Sequence, residues 1–102
     1  MKARIVDLKP HMENVTIIAK VVTKSPVIDI KTKKYCSAII RDETGEIKLN
    51  LWRDQVEQVK EGDLIRVTGA FVHVRMGVKQ LSTWSNIEKV DPDNLSSEFQ
   101  SA

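Results

Sequence analysis

Apolar and polar positions along the 102-residue chain fall into short, β-like segments separated by regular punctuation. Residues 14–24 (NVTIIAKVVTK) are rich in Val, Ile and Thr, contain no Gly or Pro, and stop at Ser25-Pro26. That composition predicts a first strand largely buried on both faces. Residues 27–34 (VIDIKTKK) read as a basic connecting loop or a frayed strand. Residues 35–41 centre on Ala38, Ile39 and Ile40 and end at Asp42-Glu43-Thr44-Gly45, a turn sequence with Asp first and Gly last. Beyond the turn, Ile47, Leu49 and Leu51 alternate with Lys48, Asn50 and Trp52. This is the period-2 pattern of a half-buried strand, and it leaves Trp52 on the polar face.

A short helix of about two turns is expected over residues 54–61, with Asp54 as cap, Glu57 three residues on as in a capping box, and Gly62 as terminator. Val56 and Val59 give it one apolar stripe, suited to plugging the end of a barrel. Residues 64–76 form another long strand, interrupted at Gly69, where a bulge or sharp bend is expected. Past Gly69, Ala70, Val72, Val74 and Met76 share one face, and Phe71, His73 and Arg75 the other. Gly77 turns the chain into a fifth strand over residues 78–90, with Leu81 and Ile87 on one face and Gln80, Ser82 and Trp84 on the other.

Five strands with one short helix between the third and fourth is the order of the OB-fold, a small Greek-key barrel whose second and third strands and flanking loops bind oligonucleotides or oligosaccharides. Strand count alone also admits SH3-like barrels; the helix position favours the OB arrangement. The expected fold class is therefore all-β, with residues 1–90 as one OB domain and residues 91–102 as a short acidic, disordered tail.

No stretch nears the roughly 18 apolar residues of a membrane span, and the N-terminus lacks the apolar region of a signal peptide. A soluble cytoplasmic protein is expected, associated with the nucleoid if it binds DNA. Cys36 is the one cysteine and His11 and His73 the two histidines, so neither an intrachain disulfide nor a metal site is expected, and no cofactor is implied. Without a nucleophile elbow, phosphate loop or paired catalytic groups, the chain does not read as an enzyme.

The net charge of +2 conceals segregation. Residues 1–41 hold nine Lys/Arg against three Asp/Glu, residues 42–63 three against seven, residues 64–87 three against none, and residues 88–102 one against four. A barrel that joined the basic blocks would carry a positive face, with the acidic turn, helix and tail directed away from it.

Aromatic residues number only five, so their placement matters. Binding single-stranded nucleic acid without sequence readout requires flat rings for base stacking and cations along the phosphate path. Trp52 and Phe71 both fall on polar strand faces; the alternative has Trp52 capping the barrel against the helix and Phe71 in the core. Arg75, on the face of Phe71, can stack on a base or clamp a phosphate. Trp84 fits a lid over the barrel end as well as a base contact. Lys31, Lys33 and Lys34 cluster in the first loop, Lys48 shares the face of Trp52, Arg53 follows it, and Lys79 follows the Gly77 turn. Each alone is most simply a solvated charge, whereas phosphate contacts act collectively through counterion release.

The stretches Asp7-Leu8-Lys9-Pro10, Asp42-Glu43-Thr44-Gly45, Ile47-Lys48-Leu49-Asn50-Leu51-Trp52, Glu61-Gly62-Asp63 and 71–77, followed by Gln80-Leu81, occur in an order and spacing that resembles a known family. It comprises the single-OB single-stranded DNA-binding proteins of archaea, their simple eukaryotic relatives, and the OB domains of archaeal replication protein A. The resemblance implies that Trp52 and Phe71 stack on bases. It departs at Arg75 and Ser82, where relatives place further aromatics. It implies non-catalytic, largely sequence-independent binding of single-stranded DNA in replication, recombination and repair, by a monomer or one module of a multi-OB assembly, with other replication or repair proteins as partners and no membrane. An RNA-binding OB domain and a protein-interaction OB module, in which Trp52 and Phe71 anchor a partner, are the alternatives.

Overall fold

A computed structural model describes residues 2–92. Its elements are a 3-10 turn at Ile5–Asp7, strands β1 (Val15–Lys24), β2 (Ile28–Ile30), β3 (Lys33–Arg41) and β4 (Glu46–Trp52), helix α1 (Gln55–Gln58), and strands β5 (Leu64–Arg75), β6 (Val78–Thr83) and β7 (Glu88–Lys89). The five long strands pair in the order β1-β3-β4-β6-β5, and β5 returns to β1, which closes the barrel. Only the β4–β6 pair is parallel among these contacts. This is the OB arrangement.

Inward positions follow the alternation of each strand. Val15, Ile17, Ala19 and Val21 of β1, Cys36, Ala38 and Ile40 of β3, and Ile47, Leu49 and Leu51 of β4 fill the barrel with Ile65, Val67, Val72 and Leu81. Val56 and Val59 close one end of this core, as the stripe predicts. Lys24 holds that plug by donating from Nζ to the carbonyls of Val56 and Val59. The Cys36 thiol is buried, which raises its pKa, and it is a small core residue.

Several sequence expectations need correction. β1 is buried on one face only, its other face carrying Lys20 in the open and Thr16, Ile18 and Val22 half-covered. Of the two readings of residues 27–34, the strand holds and the loop does not: β2 and the start of β3 form a hairpin, turned by Lys31 and Thr32 at φ 48° and 70°. Two consecutive positive φ values are those of a type I′ turn, usually signalled by Asn or Gly. The helix is one turn, and Asp54 makes no capping hydrogen bond because it is itself helical at φ −63°. Residues 78–90 are two strands rather than one. After Thr83 the chain bends, and β7 pairs with the opposite end of β5. Gly69 behaves as expected, with φ 59° and a register shift of β5 against β1. Of the expected tail, residues 93–102 lie outside the described residues.

The β3–β4 turn is tied to the N-terminal segment through Asp42. Its Oδ1 accepts hydrogen bonds from the Thr44 hydroxyl (2.6 Å), Thr44 N (2.7 Å) and Gly45 N (3.1 Å), and its Oδ2 accepts from Ile5 N (2.8 Å). Partial burial opposes ionisation, but these hydrogen bonds outweigh it and hold the carboxyl below its ordinary value of 3.8. The lowered pKa means that the interaction is fully present above the unfolded-state value and is lost as pH falls through the folded value. Asp42→Ala is therefore expected to cost about 2 kcal/mol at neutral pH. In urea titrations, the difference from the wild type should shrink as pH falls below 3.8; a constant difference across that range contradicts this account.

Candidate nucleic-acid interface

The outward faces of β3, β4, β5 and β6 meet on one side of the barrel, because register places Tyr35 opposite Trp52 and Phe71 opposite Ser82, with His73 opposite Gln80 and Gln80 beside Lys48. Trp52 and Phe71 are half-buried on this face, and neither belongs to the core. Tyr35 packs on Trp52 with ring centroids 4.5 Å apart at 48°, and Phe71 packs on Trp84 at 5.8 Å and 32° and on His73 at 5.7 Å. Trp84 is 88% exposed, so it is no lid over the barrel. Two aromatic pairs thus stand on either side of the same surface, each with ring area facing outward.

Between them lies a polar floor that the sequence pattern did not single out. The Tyr35 hydroxyl donates to Asn50 Oδ1 at 2.6 Å, and Asn50 Nδ2 donates to Gln80 Oε1 at 2.9 Å and, at 3.4 Å, to Ser82 Oγ. Ser82 Oγ and His73 Nε2 are 2.8 Å apart. Burial of the Tyr35 hydroxyl raises its pKa against the opposing pull of the Arg75 guanidinium, which places that cation within electrostatic reach of the floor. Ser82 thus links His73 to the Asn50 amide.

A groove of about 510 Å³ opens beside Trp52 and Trp84, lined also by Lys33, Arg53, Asp54, Gln55, Thr83 and Asn86. Arg53, at φ 56°, turns the chain from β4 into α1 and leaves Trp52 at the rim. Gln55 fixes both sides: its Oε1 accepts from Trp52 N at 3.1 Å, and its Nε2 donates to the carbonyls of Thr83 (2.7 Å) and Ser85 (2.8 Å) on either side of Trp84. Sequence reading missed this residue, since its role depends on β6 ending where it does.

The candidate cations divide. Lys33, Lys48, Arg53 and Arg75 lie on or beside the aromatic face, and Lys31 is exposed at the hairpin turn. Lys34 is exposed and pairs with Glu57 at 3.3 Å. Lys79 lies on the opposite face, one residue from Gln80, and donates from Nζ to the Leu8 carbonyl at 2.8 Å. It ties the N-terminal segment to β6. The acidic segments divide as well. The Asp42 turn is at the far end of the β3–β4 hairpin and borders a separate cavity of about 640 Å³ with Lys2, Ile18 and Leu64, whose lining contains no aromatic residue. Asp54, against expectation, borders the aromatic groove, and Glu57 pairs with Lys34.

Comparisons with known proteins agree with this geometry. Residues 15–82 match the tRNA anti-codon family of OB-fold nucleic acid binding domains. The single-stranded DNA binding protein Ssb of Saccharolobus solfataricus is 34% identical over 89 residues, covering 83% of this chain and 60% of that protein. The chain thus spans about three-fifths of that curated relative. A domain of replication protein A from Methanococcus maripaludis superposes with a TM-score of 0.74 at 31% identity, covering 89% of this chain and 97% of the other. The replication factor A related protein of Methanobacterium thermoautotrophicum gives 0.74 at 23% identity over 90% and 93%, a likeness of fold.

The positioning role of Gln55 is open to measurement. Gln55→Ala leaves a buried amide and two carbonyls without this partner, and is expected to lower stability by about 2–3 kcal/mol. It should also change the emission of Trp84 in native conditions; unaltered stability and emission refute the role.

Proposed function

The chain belongs to the family of OB-fold nucleic acid binding domains, and on that premise we propose that it binds single-stranded DNA without a strict sequence requirement. The observation that supports this reading most is the two outward-facing aromatic pairs on one barrel face, with Lys33, Lys48, Arg53 and Arg75 around them. Trp52 and Phe71 stack on bases, with Trp84 beside Phe71. Arg75 either stacks or clamps a phosphate, and the lysines and Arg53 follow the backbone. Lys79, tied to a carbonyl on the other face, is left out of this track. The similarity to a single-stranded DNA binding protein and to a replication protein A domain supports a cytoplasmic, nucleoid-associated role in replication, recombination and repair, as a monomer or as one module of a larger OB assembly working beside other proteins. The chemistry is recognition, not catalysis.

Titration with oligo-dT at low salt is expected to quench tryptophan fluorescence. The logarithm of the binding constant should fall with the logarithm of salt concentration with a slope of about −0.7 per phosphate neutralised. Trp52→Ala and Phe71→Ala should each weaken binding by about 5- to 150-fold, the equivalent of about 1–3 kcal/mol per stacked base. Absence of binding at low salt refutes the reading, and undiminished binding by both variants assigns the aromatics to a protein partner instead. Competition by RNA of matched sequence decides between DNA and RNA, which differ here by the 2′-OH.

A further inference from the structure

The polar floor between the aromatic pairs carries a donor that finds no partner among the described residues. Gln80 is only 6% exposed. Its Oε1 accepts from Asn50 Nδ2 at 2.9 Å, which fixes the orientation of the amide, yet its Nε2 has no hydrogen-bond partner among the described residues. Strand alternation directs Gln80 to the aromatic face: Leu81 is in the core, and Ser82, two residues on, reaches His73. Buried amide hydrogens are almost always paired, and one that is not calls for a function that explains it.

The same network turns its acceptors inward. Asn50 Oδ1 is engaged by the Tyr35 hydroxyl, Gln80 Oε1 by Asn50 Nδ2, and Ser82 Oγ by Asn50 Nδ2, its hydroxyl also pairing with His73 Nε2 in a direction set by the imidazole tautomer. Lys48 lies beside Gln80 across the β4–β6 pair, and Arg75 is two residues beyond His73 on the same face of β5. Both side chains only donate. The floor beneath the aromatic rings therefore offers N–H groups and few free acceptors. Thymine suits such a surface, since its edge carries two carbonyl oxygens and the single N3–H between them. Adenine offers ring-nitrogen acceptors but no carbonyl, and its exocyclic amino group would find no acceptor.

We propose that Gln80 is a specificity-determining residue: its Nε2 donates to a carbonyl oxygen of a base stacked beside Phe71 or Trp52, and so favours thymine over adenine. The inference rests on the single-stranded DNA reading above and replaces indifference to sequence with a graded preference read by hydrogen bonding.

The test compares dissociation constants for oligo-dT and oligo-dA of equal length in the wild type and in Gln80→Met, which keeps length and volume but removes the donor together with the Oε1 acceptor of Asn50. The readout is the change in the ratio between the two oligomers, because dT also differs from dA in its own stacking. Loss of about 3- to 10-fold for oligo-dT, with oligo-dA within about two-fold of wild type, is expected. The thermal midpoint is expected to fall, because Asn50 Nδ2 loses Gln80 Oε1 and keeps only longer contacts to Ser82 Oγ and His73 Nε2; the ratio between the two oligomers is read on the folded variant. Independently of any variant, the side-chain amide protons of Gln80 in the wild-type NMR spectrum should move downfield with oligo-dT and stay in place with oligo-dA. Equal losses for both oligomers, or no loss, together with an amide signal unmoved by oligo-dT, overturn the inference and leave DNA binding standing. If the wild type binds neither oligomer, the parent reading is what fails. Should Gln80→Met not fold, the amide signal alone decides.

Discussion

Closure of the barrel is the constraint on which every other feature depends. β1 pairs with β3 along one stretch and with β5 along another, so the sheet has to curl until its first strand meets its fourth long one. A flat, regular β5 could not do this. Gly69 takes a left-handed conformation at φ 59°, the register slips between the pairs Val15 with Ala70 and Ile17 with Val67, and the strand bends. A side chain at this position would be strained, and its Cβ would sit 3.4 Å from Ser85 Oγ, beside Trp84. Beyond the bend, Phe71, His73 and Arg75 project outward beside Gln80 and Ser82, while Val72 returns to the core. The glycine thus decides which face of β5 the aromatic ring occupies, and a one-residue change of phase would bury Phe71 and expose Val72.

The groove is built so that little has to be ordered when a strand arrives. Tyr35 braces Trp52, Phe71 and Trp84 brace one another, and Gln55 anchors both the end of β4 and the bend carrying Trp84 through three hydrogen bonds. Rings held before binding lose less rotamer freedom on binding. The floor between them is polar where the fold alone would favour an apolar surface. Asn50 at 6% exposure and Gln80 at 6% bring amides into a region that Leu or Val would fill at lower cost, and a network of this kind repays its desolvation only when its members are satisfied. Here one member, Gln80 Nε2, finds no partner among the described residues. That places the incomplete network at the surface where a ligand can complete it.

Much of this was legible in the sequence, and the misreadings share a cause. Ile47, Leu49 and Leu51 alternating with Lys48, Asn50 and Trp52 disclosed both the strand and the outward tryptophan, because a strand with one buried face writes its geometry into a period of two. Gly69 disclosed the bend, since only a special backbone requires glycine mid-strand. The Lys31-Thr32 turn was invisible because neither residue type signals positive φ. Asp54 stands at the expected cap position, but its helical backbone leaves its side chain without a capping hydrogen bond, and Gln55 Oε1 accepts from Trp52 N instead. Asn50, Gln80, Ser82 and His73 each look like ordinary solvent-facing strand residues; that they form one network depends on β6 lying between β4 and β5, a long-range pairing no local pattern contains. Lys79 was avoidable, for a residue adjacent to Gln80 on a strand must face the other way.

Charge shows the same limit from another side. The basic excess of residues 1–41 does not travel as a block, because alternation and the long β3–β4 hairpin distribute it over both ends of the barrel. Lys33 reaches the aromatic groove and Lys34 pairs with Glu57, while Lys2, Arg4, Lys20 and Arg41 surround the second cavity, where Asp7, Asp42 and Glu43 lie among them. Arg4 is paired with Asp7 and Arg41 with Glu46, so much of that positive charge is already answered. At the aromatic face the balance differs: Lys33, Lys48, Arg53 and Arg75 are cations for which no ion pair is found among the described residues, against Asp54 as the one acidic residue of the groove lining, while Glu57 is engaged by Lys34. What favours an anionic strand on the aromatic face is therefore not the amount of positive charge in a segment, which net charge or a segment count would capture, but how little of it the fold has already neutralised there.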